Sequence, residues 1–174
     1  MNQQAEDKVR QLAQDARGKF WGKYRGTVLS VLKGADLGKL VVAVPDVLGQ
    51  TSSPNAWPCV PFAGPSHGFV ALPEVGDGVW IEFEAGDPSQ PVWTGCWWAQ
   101  NDLSSPAEAN VRTWLTSSGM QISMDEGKSE LSLIHPQGAS IVLSATDIKL
   151  SIGATELKLD SSGVSIAGNV KVGS

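Results

Sequence analysis

The sequence predicts an all-β chain in two parts behind a short N-terminal helix: a compact barrel, then a run of very short strands. Three observations carry that prediction. Every aromatic residue, including all seven Trp, lies at or before Trp114, and nine of the ten prolines precede Ala107, so the first part is turn-rich and the second is not. From Ile122 onward the apolar residues come in pairs one residue apart, with Ser, Lys, Thr, Glu or Asp at the intervening positions. No helical repeat interrupts either stretch.

The 174 residues suit one domain, or one small domain with an extension. A 41% hydrophobic content, 18% charged residues and a net charge of −5 describe an ordered, mildly acidic protein and give nucleic acid no basic surface to bind. No window holds the 18 or more consecutive apolar residues that a membrane-crossing helix requires. The start, "MNQQAEDKVRQLAQDARG", is polar and contains acids, which predicts no signal peptide and a protein made in the cytoplasm. Cys59 and Cys96 lie in separate apolar segments without a CxxC or Cys/His cluster, and read as reduced core thiols rather than a disulfide.

Taken in order, residues 1–19 hold a helix whose stripe is Val9, Leu12, Ala13 and Ala16, ended by Gly18. Such a short helix needs something to dock on. Residues 20–100 then turn to β. "YRGTVLSVLK" and "KLVVAVP" flank the turn "GADLG" as a hairpin, and "DVLGQTSSPNA" is a polar loop. "WPCVPFAG", "HGFVALP", "GVWIEFEAG" and "PVWTGCWW" add strands across the turns "PEVGDG" and "GDPSQP". About five strands with a long first hairpin point to a small Greek-key barrel of the OB type. Residues 101–114, with Ser-Ser-Pro, read as a linker.

Residues 115–174 carry the paired pattern. Ile122 pairs with Met124, Leu131 with Leu133, Ile141 with Leu143, Ile148 with Leu150 and Ile152, Leu157 with Leu159, Val164 with Ile166, and Val170 with Val172. Each unit fits one strand of about five residues, about 17 Å long, followed by a turn. Side chains alternate across a strand, so each pair faces one way and the polar residues the other. Three arrangements could cover the apolar side: a meander on the barrel, a single-chain solenoid, or copies wound about one axis. A solenoid ordinarily shows longer coils and a cap. Short units without a cap favour an intertwined triple-stranded β-helix, a homotrimer with one strand of each chain per layer and no free edges. Leu131, Leu133, Ile141, Leu143, Ile148, Leu150, Ile152, Leu157, Leu159, Val164 and Ile166 are its predicted axial core.

The residues "KYRGTVLSVLKGADLGKLVVAVPDVLG", "WPCVPFAG" and above all "LPEVGDGVWIEFEAGDPSQPVWTGCWW" resemble the OB domain of contractile-tail spike proteins, the family of VgrG, phage tail spikes and baseplate assembly protein V. The pattern rests on Pro73, Glu74, Gly76, Asp77, Gly86, Asp87, Pro88 and Gly95, and with the following strands the resemblance spans about residues 20–172. It implies a homotrimeric spike at the centre of a baseplate in a phage tail or injection particle, with a separate hub protein at the OB end. It also implies a PAAR-type tip protein on the blunt C-terminal end, at Val170, Val172, Gly173 and Ser174, and transient passage through a target-cell envelope. No cofactor is implied.

HExxH, GxSxG, Walker and dinucleotide patterns are absent from the sequence. Glu82 and Glu84 alternate with Ile81 and Phe83, and a carboxylate pair can act on sugars, but the spacing fits the solvated face of one strand. His67 reads as a strand-start or turn residue. His135 shares parity with Leu131 and Leu133, so three copies could meet on an axis as a metal site, against a hydrogen-bonded residue at the strand's end. Trp80, Trp93, Trp97 and Trp98 lie where they would pack a barrel. The competing reading is a carbohydrate-binding or carbohydrate-active β-solenoid that uses those rings; the favoured one is a structural protein without enzymatic activity.

Overall fold

The computed structural model describes residues 3–15, 17–103 and 108–169, which divide into two compact units, 1–102 and 103–174. The first opens with helix α1 (Gln3–Asp15), on which Val9 is exposed; the side chains of Leu12, Ala13 and Ala16 lie outside the described residues. Gly18 follows at φ 75°, the left-handed backbone that stops a helix.

The barrel is built from β1 (Tyr24–Val31), β2 (Leu40–Ala43), the short helix α2 (Pro45–Leu48), β3 (Trp57–Pro58), β4 (Ala63–Gly64), β5 (His67–Gly68), β6 (Gly78–Phe83) and β7 (Pro91–Trp97). Its main sheet runs β2-β1-β6-β7-β3, with β3 parallel to β7. Leu40 and Ala56 exchange backbone hydrogen bonds at 3.1 and 2.7 Å, so the segment that leads into β3 also grips β2. The two outer strands of the sheet are thereby joined through the chain, which removes free edges.

Strict alternation explains the interior. Val79, Ile81 and Phe83 of β6 point inward and are buried, as are Leu40 and Val42 of β2, Val28 of β1 and Trp93 of β7. Trp93 satisfies its indole N–H by donating to the Gly38 carbonyl at 2.9 Å. Phe20 and Tyr24 close one side against Phe83, with ring centroids 6.1 and 5.7 Å away.

Several expectations are corrected here. Cys59 and Cys96 are exposed rather than core thiols: Cys59 follows the two-residue β3 into a surface arm, and Cys96 sits past a register shift, where the burial of β7 tails off. Glu84 has left the strand that carries Glu82 and lies in a 3₁₀ turn, Glu84–Gly86, while Glu82 pairs with Lys23 at 3.0 Å. The loop after β2 contains α2, begun by Pro45 at its first turn, where a missing N–H costs nothing. Where "WPCVPFAG" and "HGFVALP" read as ordinary strands, only two-residue pieces form, because Pro58, Pro61 and Pro65 withhold backbone donors.

The second unit is one seven-stranded antiparallel meander in sequence order: β8 (Val111–Leu115), β9 (Gln121–Asp125), β10 (Glu130–Ile134), β11 (Ala139–Leu143), β12 (Asp147–Ile152), β13 (Thr155–Asp160) and β14 (Gly163–Ala167). Each strand is hydrogen-bonded to the next strand of its own chain. The reading of one strand per layer, laid beside other copies, is therefore not the pairing within this chain.

Candidate functional site

The meander brings the paired apolar residues together as two continuous rows. Register places Leu133 opposite Ile122 and Ile141, Ile141 opposite Leu150, Leu150 opposite Leu157, and Leu157 opposite Ile166. The second row runs Met124, Leu131, Leu143, Ile148, Leu159, Val164. Ten of the eleven predicted axial residues lie in these two rows; Ile152 lies at the β12–β13 turn opposite Thr155 and is 72% exposed.

These rows remain open in the single chain. Leu131, Leu133, Leu143, Leu150, Leu157, Leu159, Val164 and Ile166 are all exposed. Such a contiguous apolar band marks an interaction surface. Trp114 extends the first row opposite Ile122, and Arg112 begins the second opposite Met124. Both fall within the stretch read as linker. The signal for β8 was the alternation Val111, Thr113, Leu115, obscured by a single aromatic at the other parity.

The opposite face is polar and knitted together. Ser123 and Ser132 hydroxyls meet at 2.7 Å. Lys158 lies 2.9 Å from Asp160 and 3.5 Å from Asp147, and Lys149 approaches Asp147 at 3.6 Å. Hydrogen bonds from the Ser162 hydroxyl, then Lys158 and the Ser162 N–H, hold the Asp160 carboxyl well below the usual carboxylate range. Asp147 is lowered chiefly by the Ser144 hydroxyl. The charges thus strengthen the sheet's polar side and leave the apolar rows uncharged between Met124 and Val164.

His135 sits at the β10–β11 turn. Its N–H donates to the Ala139 carbonyl at 2.8 Å and its Nδ1 accepts from the Gln137 N–H at 3.2 Å. The residue's place is that of a turn residue bordering the Trp114–Ile122 end of the apolar face. His67 opens β5, with Nδ1 3.0 Å from the Pro65 carbonyl oxygen. Val170, Val172, Gly173 and Ser174 lie outside the described residues.

The motif residues of the barrel hold turns. Pro73 is buried. Gly76, at φ 99°, donates its N–H to the Val28 carbonyl at 2.9 Å, the Glu74 N–H donates to Asp77 Oδ2 at 2.7 Å, and the Asp77 carbonyl accepts from Val28 at 3.0 Å. This turn is therefore locked onto β1. Asp87 Oδ1 accepts from the Ser89 N–H at 2.9 Å and its hydroxyl at 2.8 Å, with Pro88 between them. The Gly86 carbonyl accepts from the Phe20 N–H at 2.8 Å, and a side chain at Gly86 would press on Trp21, Lys19 and Phe20. Gly95, at φ 141°, marks the register shift between β6 and β7.

That turn geometry is the specific part of the pattern, and it coincides with a family match. The model of the type VI secretion system/phage-baseplate injector OB domain matches residues 24–98. The barrel is similar to the baseplate injector OB domain. A relative, the actin cross-linking toxin VgrG1 of Vibrio cholerae serotype O1 (strain ATCC 39541 / Classical Ogawa 395 / O395), is 50% identical over 34 residues. That stretch is 20% of this chain and 3% of the toxin's length. The resemblance to VgrG-like baseplate spike proteins is supported by both matches. No helix among the described residues is long and apolar enough to cross a membrane.

Proposed function

We propose that three copies of this chain assemble into the central spike of a contractile injection machine, with the three apolar faces of the meanders meeting on a common axis as a needle. The observation that supports it is the pair of apolar rows running unbroken through β9–β14 and exposed in the single chain. The dimensions fit as well. Strands of five residues are about 17 Å long. Three such faces in a triangle put each sheet about 5 Å from the axis, half the usual spacing of about 10 Å between packed sheets. Leu131, Leu133, Ile141, Leu143, Ile148, Leu150, Leu157, Leu159, Val164 and Ile166 then form the axial core, with Ile152 at its margin.

In this reading the pairing found in the chain replaces the interleaved one: each face of the prism is one chain's meander. The OB unit links to a hub protein, and the C-terminal end, at Val170, Val172, Gly173 and Ser174, carries a PAAR-type tip. Backbone ladders closed within each face leave no loose segment to yield under axial load, so contraction could drive the needle through a target envelope. His135 is a turn residue at the margin of the core rather than an axial ligand.

Leu150→Asp tests this directly. It places three carboxylates in one buried layer, each costing several kcal/mol unpaired. The expected result is loss of the trimer by size-exclusion mass measurement, with the barrel's melting transition retained. An intact trimer with unchanged melting would refute the axial placement.

A further inference from the structure

We infer that the arm spanning residues 59–70 is a second contact between copies, clasping the barrel unit of a neighbouring chain; this rests on the trimeric reading above. From Val47 to Pro73 the chain contains no Asp, Glu, Lys or Arg, its longest such run. Yet residues 61–70 are exposed throughout, where protein surfaces ordinarily carry about a quarter to a third charged residues. Phe62 is 56% and Val70 68% exposed, and nearby in sequence Trp57 is 59% exposed beneath the Lys39 ammonium, 3.8 Å from its ring centroid.

The arm is also stiff. Its strands β4 and β5 pair Ala63 with Gly68 and Gly64 with His67, and the Phe69 N–H donates to the Phe62 carbonyl at 3.1 Å. Ser66 at φ 61° makes the turn, the His67 ring lies over Gly64 with Nδ1 against the Pro65 carbonyl, and Pro61 and Pro65 restrict the backbone. An element already held in shape loses little freedom on docking, which favours its use as a binding element.

The size of the arm selects the partner. Its apolar side chains offer on the order of a few hundred Å², against about 800 Å² per partner for an independent stable interface. That is too little for a separate protein found by diffusion. It suffices for a partner already tethered, because joining by another interface raises the effective concentration to the millimolar range. A second copy held by the meander is such a partner. Two identical acidic chains, each at −5, also meet with least repulsion where neither carries charge.

The test incorporates the photocross-linker p-benzoylphenylalanine at Phe62 in the full chain, with mass measured by light scattering before irradiation. The expected result is a trimer yielding intermolecular adducts that map to residues 17–102 of a second copy. A trimer whose adducts fall only within one chain, or on residues 103–174, overturns the arm contact and leaves the spike reading standing. A monomer overturns both. In parallel, Phe62→Ser should keep the trimer's mass while hydrogen exchange at residues 61–70 speeds up at least tenfold; unchanged exchange would overturn the clasp.

Discussion

The barrel and the meander are written in the same period-two alternation, yet only one of them finishes its core within the chain. In the barrel, Val79, Ile81 and Phe83 find Leu40, Val42, Val28 and Trp93 across a sheet that curls back on itself through the Leu40–Ala56 contact. In the meander, strands of equal quality line up Leu150 with Leu157 and Ile148 with Leu159, and among the described residues that surface stays exposed. The difference lies in closure rather than in strand chemistry. A sheet that bends through bulges and long connections can cover itself, whereas a meander joined by turns of two to five residues leaves one face open, which the proposed assembly of copies would cover.

The comparison can be broken most sharply by placing the same charge in each core. Ile81→Asp should unfold the barrel outright at any protein concentration, a loss of several kcal/mol read by circular dichroism. Survival of the barrel would mean its interior is not the closed core described. A gentler change separates the two kinds of core further. Leu133→Ala should cost about 2–4 kcal/mol per copy in the assembled protein, and its melting temperature should rise with protein concentration. A shift independent of concentration would place Leu133 in an intrachain core instead.

Smaller effects follow from single polar contacts. Trp93→Phe keeps an aromatic ring, though a smaller one, and leaves the Gly38 carbonyl without its indole donor. Chemical denaturation should show a loss of about 1–2 kcal/mol confined to the barrel. The mildest is acidification. Asp147 and Asp160 have lowered pKa values in the folded meander, so their stabilisation is present above the ordinary carboxylate range near pH 4 and fades as pH falls through their lowered values. A melting series from pH 5 to pH 2 should show the meander's transition falling, and Asp160→Asn should flatten that fall. An equal fall in the variant would locate the acid sensitivity elsewhere.

Much of this was legible in the residues, for identifiable reasons. β1, β6 and β7 are long enough for alternation to declare itself, and the apolar pairs of the meander mark their face whatever they pack against. What parity alone does not specify is the neighbour. The turn Gly153-Ala154, with Gly153 at φ 57°, and the turn Ser161-Ser162 each span two residues. Connections that short join antiparallel strands of the same chain, so the sequence does carry a hairpin signal for the meander. β3, β4 and β5 were over-read because two residues are too few for any period. Cys96 was misplaced because a register shift and the fading burial at the end of β7 override an apolar sequence context.

In the proposed spike, residues beyond Asn110 hold copies of this chain together. The most direct measurement is the absolute mass, by light scattering, of the full chain beside a truncation ending at Asn110. A full-length trimer that falls to a smaller species on truncation is the predicted result. A monomer in both cases would contradict it, and would mean that the apolar rows are covered within a single chain.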